Sequence, residues 1–594
     1  MFIWIFIVIA TLYCAISFFT HIQADNQVSV WFEASNPEIK AYHQLTSDFG
    51  SDRKIWLSLP LGSFNPDVPH KLEKVRQLLA GKAGIESIQS LETLPYYKNQ
   101  DNQLIEYSLK AGVSEGLTLE EMFKLNPGAS YFVSADHQNY LLLMTLRAKN
   151  DLSTNGLIID EITRIISSDF KDFVISGLPV LDARFNQLVI HDQFLLFPLC
   201  VIFIFFVLYW FIRNFRVCLI VTLVQTFVLL AVLKWGQVFG FPLTIISGLV
   251  CPLIVCVTLL NSVYLFQGEI KDFASWALKI KKIFRPALYT ELTTIAGFAS
   301  FGLTQVPPLN HLSLLACMGI LLALLTTLFL VPALVGCFAN QSVHKLSQVD
   351  ALGQKICLGS LKFVLKKHKF ILLISLCLIL FSMAGLQKIK IHTRFEDYFF
   401  SKEKVALDWV KIRKQFELPA NVDILLKGER EWFVDEKKFA SLMSLEQDFK
   451  LQNYEVHSQV QDLMAAARIF DQKESATWNH DLIAQMNLFL ANLETTQAYT
   501  SDDQTTLLIH LGVKLESLES LKDEIQKIKM MVGRHLSSEE IDANVTGYEV
   551  LLSHLHEHLL TSQKQSFIIS ILIVTLMMML MTRHGGLGLI SMIP

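Results

Sequence analysis

One acidic residue of this chain lies inside an apolar stretch that is long enough to cross a membrane. Glu291 lies in one such stretch, and Asn261 lies in the stretch before it. At ~1.5 Å per residue, each is about 7 Å from the same side of the membrane, so both are expected at one depth. A carboxyl buried there can exchange a proton, with Asn261, Tyr264 or Thr294 as hydrogen-bond partner. The alternative is that Glu291 is close enough to the membrane interface to reach water.

Two further patterns are weaker. Gly248 and Pro252 precede Asn261 and predict a helix break, which occurs at substrate or ion paths and also in plain kinks. His554 and His558 have a spacing that two metal ligands use, but a solvated helix near the membrane surface is favoured. The chain has no GxxxxGK[ST] motif and no nucleophile–base pattern. We therefore expect no enzyme activity, no cofactor and no metal.

The composition is that of a membrane protein with a large soluble part. Of the 594 residues, 52% are hydrophobic and 18% are charged, and the net charge of −4 does not indicate a nucleic-acid partner. Eight apolar runs can span, or nearly span, a hydrocarbon layer of ~30 Å. They cover residues 2–20, 194–212, 217–233, 238–266, 287–307, 312–337, 370–386 and 566–581. The first run has no basic segment before it, so a retained span is favoured over a cleaved signal peptide.

The distribution of basic residues predicts how the spans are oriented, because short loops rich in Lys and Arg stay in the cytoplasm. With the N-terminus inside, the cytoplasmic loops hold 13 basic residues, including Arg213 and Arg216. The short outer loops, taken as 234–237 and 308–311, hold only Lys234. We therefore predict a multi-pass protein of the cell inner membrane whose two large loops lie outside the cytoplasm.

Each large loop carries the order strand, helix, strand twice, on either side of an insertion. The first begins with the strand KIWLSLPL (54–61) and ends with DFVISG (172–177). The second runs from NVDILLKG (421–428) to DANVTG (542–547), around a helical insertion at about 460–498. This order predicts a split ferredoxin-like α+β domain in each loop. Neither loop contains cysteine, so ordinary apolar cores must stabilise them.

A block around Gly177 recurs around Gly547. VISGLPVL and VTGYEVLL each precede an apolar run, and the offset of 370 residues also relates Arg213 to Arg583. A soluble module that ends in a membrane helix therefore occurs twice, which is a common plan of transporters. The second copy is expected to be incomplete, because Pro594 corresponds to position 224 of the first copy and about four spans have no counterpart.

These observations predict seven segments, which alternate between the membrane and the two large loops. They are a first span (1–21), an outer α+β domain (22–192), spans two to six (193–338), a cytoplasmic segment (339–369), a seventh span (370–387), a second outer α+β domain (388–565) and an eighth span with the C-terminus (566–594).

The chain resembles the resistance-nodulation-division superfamily, and within it the MMPL-type exporters that are related to sterol-sensing-domain proteins. The resemblance rests on SGLPVL before the second span, on the block 286–334 across the fifth and sixth spans, and on GLQKIKIHTRFEDYF (385–399). The most specific element is TT-x2-GF followed by paired prolines, within the block 286–334. The resemblance covers essentially the whole chain and implies export driven by a proton gradient.

The chain departs from this family at one position of the implied proton relay. The exporters usually have Asp-Ser-Ile-His-Leu in the fourth span, where this chain has NSVYL (261–265). Asn261 can form hydrogen bonds but cannot titrate. The second relay group of the family is expected in a tenth span, beyond the eight predicted here.

We therefore expect a membrane exporter of a hydrophobic or lipid-like molecule, with the lipid bilayer and that molecule as its partners. A second polypeptide that supplies the missing spans is a further candidate partner. The alternative is a lipid-binding or lipid-sensing membrane protein that does not transport, or an inactive truncated remnant of an exporter.

Overall fold

The computed structural model divides into two compact units. It describes residues 2–20, 24–50, 52–94, 96–100, 103–107, 109, 118–147, 152–266, 273–338, 349–386, 399, 402–470, 478–491, 499–514, 518–536 and 541–591. The helical unit comprises Met1–Asn26, Leu188–Ile391 and His558–Pro594, and the α+β unit comprises Gln27–Gln187 and His392–Glu557. Most of the segment 385–399, on which part of the family resemblance rests, lies outside the described residues.

The described helices run in chain order as follows. They are α1 (Phe2–Thr20), α2 (Pro37–Asp48), α3 (Asp67–Leu79), α4 (Leu119–Leu125), α5 (Leu152–Asp169), α6 (Leu178–Ile212), α7 (Phe215–Val238), α8 (Val250–Phe266), α9 (Phe273–Ala299), α10 (Pro307–Leu325), α11 (Val331–Phe338), α12 (Val349–Leu386), α13 (Lys404–Gln415), α14 (Glu436–Leu451), α15 (Gln459–Phe470), α16 (His480–Ala491), α17 (Leu518–Leu536), α18 (Tyr548–Thr582) and α19 (Gly585–Ile590).

The described strands form two four-stranded sheets and one hairpin. They are β1 (Lys54–Pro60), β2 (Ile85–Ser90), β3 (Tyr96–Gln100), β4 (Gln103–Tyr107), β5 (Asn139–Leu146), β6 (Val174–Ser176), β7 (Ala420–Lys427), β8 (Glu455–Ser458), β9 (Thr506–Val513) and β10 (Asp542–Thr546). β3 and β4 form the hairpin.

Long apolar helices make up the helical unit. Among the described residues, five helical segments are long and apolar enough to cross a membrane: Leu178–Ile212, Phe215–Val238, Ser247–Phe266, Pro307–Gly336 and Tyr548–Thr582. In α7, 78% of the residues in the apolar segment are buried, against 17% in α6. Within the helical unit, α7 is therefore central and α6 is peripheral. The other three predicted spans fall on α1, α9 and α12, and their role as spans stays a prediction.

The connection between α7 and α8 differs from the sequence prediction. α7 continues to Val238, so residues 234–237 are helical, and the predicted fourth span 238–266 begins with a loop. Helical structure resumes only at Ser247, where Thr244 and Ser247 accept hydrogen bonds from each other's backbone N–H groups. A glycine in the left-handed region, Gly240 (φ +73°), lies in this loop and turns the chain out of α7. Apolar composition alone had merged the loop with the span.

The first sheet is antiparallel, with strand order β2-β5-β1-β6. Alternate residues of a strand face one side, and Ile55, Leu57 and Leu59 of β1 are accordingly fully buried in one core. α3 and α5 contribute their apolar faces to the same core.

The second sheet has the equivalent order, β10-β7-β9-β8, and is also antiparallel. Val422, Ile424 and Leu426 of β7 enter the core beneath α14 and α17. The intervening residue Asp423 therefore lies on the opposite face of the sheet.

Each sheet also packs against a helix from the other half of the sequence. α13 contacts β6, and Ile412 in α13 and Phe416 just after it are buried in the core of the first sheet. Reciprocally, α2 contacts β10. Each large predicted loop thus contributes one helix to the sheet of the other, an arrangement that we call the helix exchange.

The glycines that define the sequence repeat share one backbone conformation. Gly177 and Gly547 both have φ +119°, which side chains with a Cβ rarely adopt. Each follows the last strand of a sheet, and α6 or α18 begins at the next residue. A Cβ on Gly177 would lie 2.3 Å from the carbonyl oxygen of Lys54, so close packing against β1 also requires glycine there.

Candidate functional site

The structure brings Asn261 and Glu291 together inside the helical unit. Asn261 in α8 donates from Nδ2 to Oε1 of Glu291 in α9, with 2.8 Å between the atoms. Both side chains are buried, with exposed fractions of 5% and 2%. Within the described residues, the second carboxylate oxygen of Glu291 makes no hydrogen bond. The pair therefore holds one titratable carboxyl by a neutral carboxamide.

A polar side chain from α7 adds to this region, and the sequence analysis did not identify it. Gln225 is 2% exposed and donates from Nε2 to the hydroxyl of Ser262, next to Asn261, at 2.7 Å. It also donates to the carbonyl of Thr258 at 3.1 Å. The hydroxyl groups of Thr258 and Ser262 donate to carbonyls one turn earlier in α8, which satisfies them inside an apolar helix. A lone glutamine in an otherwise apolar run is the sequence feature that could have identified Gln225 as a polar site residue.

The other two predicted partners lie elsewhere. Tyr264 is 49% exposed, and its phenol makes no hydrogen bond to Asn261 or Glu291 in the described part of the chain. The hydroxyl of Thr294 donates to the carbonyl of Thr290 in its own helix, at 2.9 Å. Of the three alternative partners named from the sequence, Asn261 is therefore the one that hydrogen-bonds to the Glu291 carboxyl among the described residues.

The structure places Gly248 and Pro252, the residues of the predicted helix break, at the start of α8. Ser247–Leu249 forms a 3-10 turn that leads into α8, so Gly248 and Pro252 lie where the helix begins. Pro252 is the third residue of α8. Backbone N–H groups in the first turn have no acceptor within the helix, so a proline there removes no helical hydrogen bond. Gly248 instead permits close packing, because a Cβ there would lie 2.4 Å from Nε2 of Gln193 in α6.

An irregular segment lies in the last part of the sixth predicted span. Thr326–Leu330 is π-helical, between α10 and α11, and it packs against both α7 and α8. Thr327 is 1% exposed within it. Single π-helical turns inside α-helices often mark functional sites, and this one borders the helices that carry Gln225 and Asn261.

The histidine pattern near the start of α18 does not form a shared site. His554 pairs with the carboxylate of Glu38 at 2.8 Å, and Nε2 of His558 contacts the carbonyl oxygen of Gln305 at 2.9 Å. No group of three or more His, Cys, Asp or Glu side chains in the described residues is arranged to hold a metal ion.

A second polar region lies in the α+β unit. Asp423, His510 and His457 are cross-strand neighbours on β7, β9 and β8, and Nδ1 of His510 pairs with the carboxylate of Asp423. They line a cavity of about 210 Å³ together with Glu549 and Asp52.

Desolvation shifts the pKa values of three side chains that line this cavity. Burial raises the pKa of the Glu549 carboxyl, although the guanidinium of Arg413 lies 3.3 Å away. Burial also raises the pKa of Asp52, and it lowers the pKa of His457, with His510 adding to the effect. The region combines acids and imidazoles that no sequence motif had indicated, because its members come from distant segments of the chain.

Apolar helices that can cross a membrane, a buried carboxyl–carboxamide pair and small antiparallel sheets define a membrane transporter-like protein. Residues 425–590 match the model of the MMPL family. This match covers part of the chain and agrees with the sequence resemblance to the RND/MMPL superfamily. No curated protein matches the chain.

Proposed function

We propose that this protein is a proton-driven exporter of a hydrophobic or lipid-like molecule. The hydrogen bond between Asn261 and Glu291 carries the proposal, because it fixes a buried titratable carboxyl between α8 and α9. Burying an ionisable acid within a membrane-spanning bundle costs free energy, and such acids are typically functional. Glu291 would bind and release the proton, while Asn261 would orient its carboxyl group. The match of residues 425–590 to the MMPL family supports the transport class.

We further propose how the chain is arranged in the cell. The protein would be a multi-pass protein of the inner membrane with a cytoplasmic N-terminus, and the α+β unit would lie outside the cytoplasm. The matching strand orders of the two sheets, and the shared φ of Gly177 and Gly547, support a duplicated ferredoxin-like unit. The partners would be the lipid bilayer and the exported molecule, and no enzymatic step would be involved.

The second candidate is a lipid-binding or lipid-sensing membrane protein that does not transport. Asn261 favours it, because it occupies the position where the resembling exporters have a titratable Asp. A single carboxyl, without an acidic or basic partner in the described residues around it, would then only hold α8 and α9 together. The two candidates differ in whether protons cross the membrane.

Proton flux through the full chain distinguishes them. The 594-residue protein would be reconstituted in vesicles that contain a pH-sensitive dye, and a pH gradient would be imposed. We expect flux above that of empty vesicles, and we expect Glu291→Gln to reduce it to the level of empty vesicles. The substitution removes the titrating proton while nearly keeping the volume and a hydrogen-bonding oxygen.

The matched control is Glu436→Gln, which makes the same chemical change at an exposed position in the first turn of α14. It should leave the flux unchanged. Flux that survives Glu291→Gln would exclude Glu291 as the proton site. A correctly inserted protein with no flux above empty vesicles would exclude the exporter and favour the lipid-binding candidate.

A further inference from the structure

The helical unit contains a cavity of about 520 Å³ that is separate from the Asn261–Glu291 pair. Its walls come from α1, the last turns of α7, the loop after α7, and α10. They are mostly apolar and include Phe18, Leu233, Phe241 and Leu315. Cavities of ~300–1,000 Å³ with apolar walls and a few polar groups are typical of small-molecule sites.

One cation lines this cavity. The ammonium group of Lys234 donates to Oε1 of Gln237 at 3.1 Å. Gln237 is itself fixed, because its Nε2 donates to the carbonyl of Phe18 at 3.0 Å. Gln237 therefore orients Lys234 without neutralising it.

The charge of Lys234 has no counter-ion in the described residues, since no carboxylate lies within salt-bridge distance of it. A half-buried ammonium beside apolar walls is costly without an anion, because desolvation is not offset by pairing. An anionic group placed beside Gln237 would supply the missing charge and accept the remaining ammonium hydrogens.

The surroundings indicate that the anion belongs to an amphiphile. Val238, which lines the cavity, is 70% exposed, and the adjacent Phe239 is 50% exposed, so its edge is apolar on the outside as well. In a bilayer such side chains would face lipid tails. A lipid could enter from that side with its head group near Lys234 and its chain along Phe18 and Leu315.

We propose that this cavity binds the anionic head group of a phospholipid, with the phosphate on Lys234 and Gln237 and an acyl chain against the apolar wall. The site is independent of the proposed proton exchange, since it shares no residue with the Asn261–Glu291 pair. It would operate in an exporter and in a lipid-binding protein alike.

Photo-crosslinking in nanodiscs of phosphatidylcholine tests the proposal. The full chain is exposed to phosphatidylglycerol or phosphatidylcholine that carries the same diazirine-labelled acyl chain, and labelled peptides are identified by mass spectrometry. We expect peptides that contain Phe18 or Leu233 to be labelled about fivefold more by the anionic probe, the factor expected from one cation near an anionic lipid.

Three variants define the outcome. Lys234→Gln should abolish the preference for the anionic probe, whereas Lys234→Arg should keep it. Lys282→Gln, which removes an exposed lysine of α9, should also keep it. Equal labelling of the unmodified chain by both probes, or an unchanged preference in a folded Lys234→Gln variant, would overturn the site. Displacement of the lipid probe by millimolar inorganic phosphate would overturn the assignment to a lipid head group.

Discussion

Trp56 and Trp409 stack on each other with ring centroids 4.8 Å apart and planes inclined by 11°. Trp56 belongs to β1 and Trp409 to α13, so the contact joins residues from the two large predicted loops within the α+β unit. Trp409 is 4% exposed, and the guanidinium of Arg413 lies 5.3 Å from its ring. The stack is one of the contacts that hold the exchanged helix against the first sheet.

A double-mutant cycle should detect this stack as a coupling. Trp56→Leu and Trp409→Leu are expected to show an interaction energy of about 0.5–1.5 kcal/mol, the range for aromatic pairs beyond their burial. Urea unfolding of the full chain, followed by circular dichroism, provides the measurement. Trp56→Leu combined with Trp432→Leu, in the core of the second sheet, is the control and should be additive. Additivity of the first pair would show that the stack is not a stabilising contact.

The two halves of the α+β unit should not fold separately. Residues 27–187 lack Ile412 and Phe416, which are buried in the core of their sheet. We expect this fragment alone to show no cooperative unfolding transition, and to gain one when it is co-expressed with residues 392–557. Phe416→Ala in the second fragment should weaken the transition by roughly 3–5 kcal/mol, as for a buried aromatic side chain. A fragment 27–187 that folds cooperatively by itself would contradict the exchange.

The pH dependence of stability should reveal a buried acid in α14, the helix that packs on the second sheet. Burial raises the pKa of Glu446 to about 6 from its usual value of 4.5, even though Ser458 donates to its carboxylate at 2.5 Å. A raised pKa means that the folded state retains a proton that the unfolded state has lost. The stabilisation is therefore complete below pH ~4.5 and is lost as the pH rises through about 6.

The measurement is the urea midpoint of the full chain between pH 4 and 7.5. Relative to the unmodified protein, Glu446→Gln should remove a decline on the order of 2 kcal/mol across this range. Burial also raises the pKa of Asp462 to about 6, so part of the decline should remain in the variant. Glu436→Gln, at an exposed position, should leave the profile unchanged. A variant and a wild type with parallel profiles would show that Glu446 is not protonated in the fold.

The two repeat glycines should tolerate alanine to different degrees. Both have φ +119°, so alanine at either position should cost roughly 1–3 kcal/mol for the backbone conformation alone. At Gly177 the new Cβ would also lie 2.3 Å from a backbone oxygen, whereas at Gly547 the nearest atom is the Asp423 side chain, 3.1 Å away. Gly177→Ala should therefore lower the urea midpoint more than Gly547→Ala. The reverse order would contradict the close approach of Gly177 to β1.

Local patterns were sufficient to predict most strands and helices. The strand at 54–61 became β1, the strand at 421–428 became β7, and the helical insertion at about 460–498 contains α15 and α16. Alternation and helical periodicity are local properties, so a sequence window records them. The start of the fourth span was wrong because the loop before Ser247 is itself apolar, and hydrophobicity does not distinguish loop from helix.

The candidate site was only partly predictable. The shared depth of Asn261 and Glu291 followed from counting residues along two helices. The same count does not show which face of its helix each residue occupies, so it could not tell that Tyr264 and Thr294 make no contact with the carboxyl. The exchange of α2 and α13 was not predictable either, because such packing depends on contacts between segments hundreds of residues apart.

The exchange of helices also sets an order of events during synthesis. Phe416, which completes the first core, is made roughly 230 residues after Gln187, the last residue of the first α+β segment. At ~5–20 residues per second, the ribosome needs on the order of 10–50 s to bridge that interval. During this time part of the apolar surface of the first sheet stays uncovered, while the intervening helices are synthesised. A chaperone or the membrane surface would have to cover that apolar surface until α13 is made.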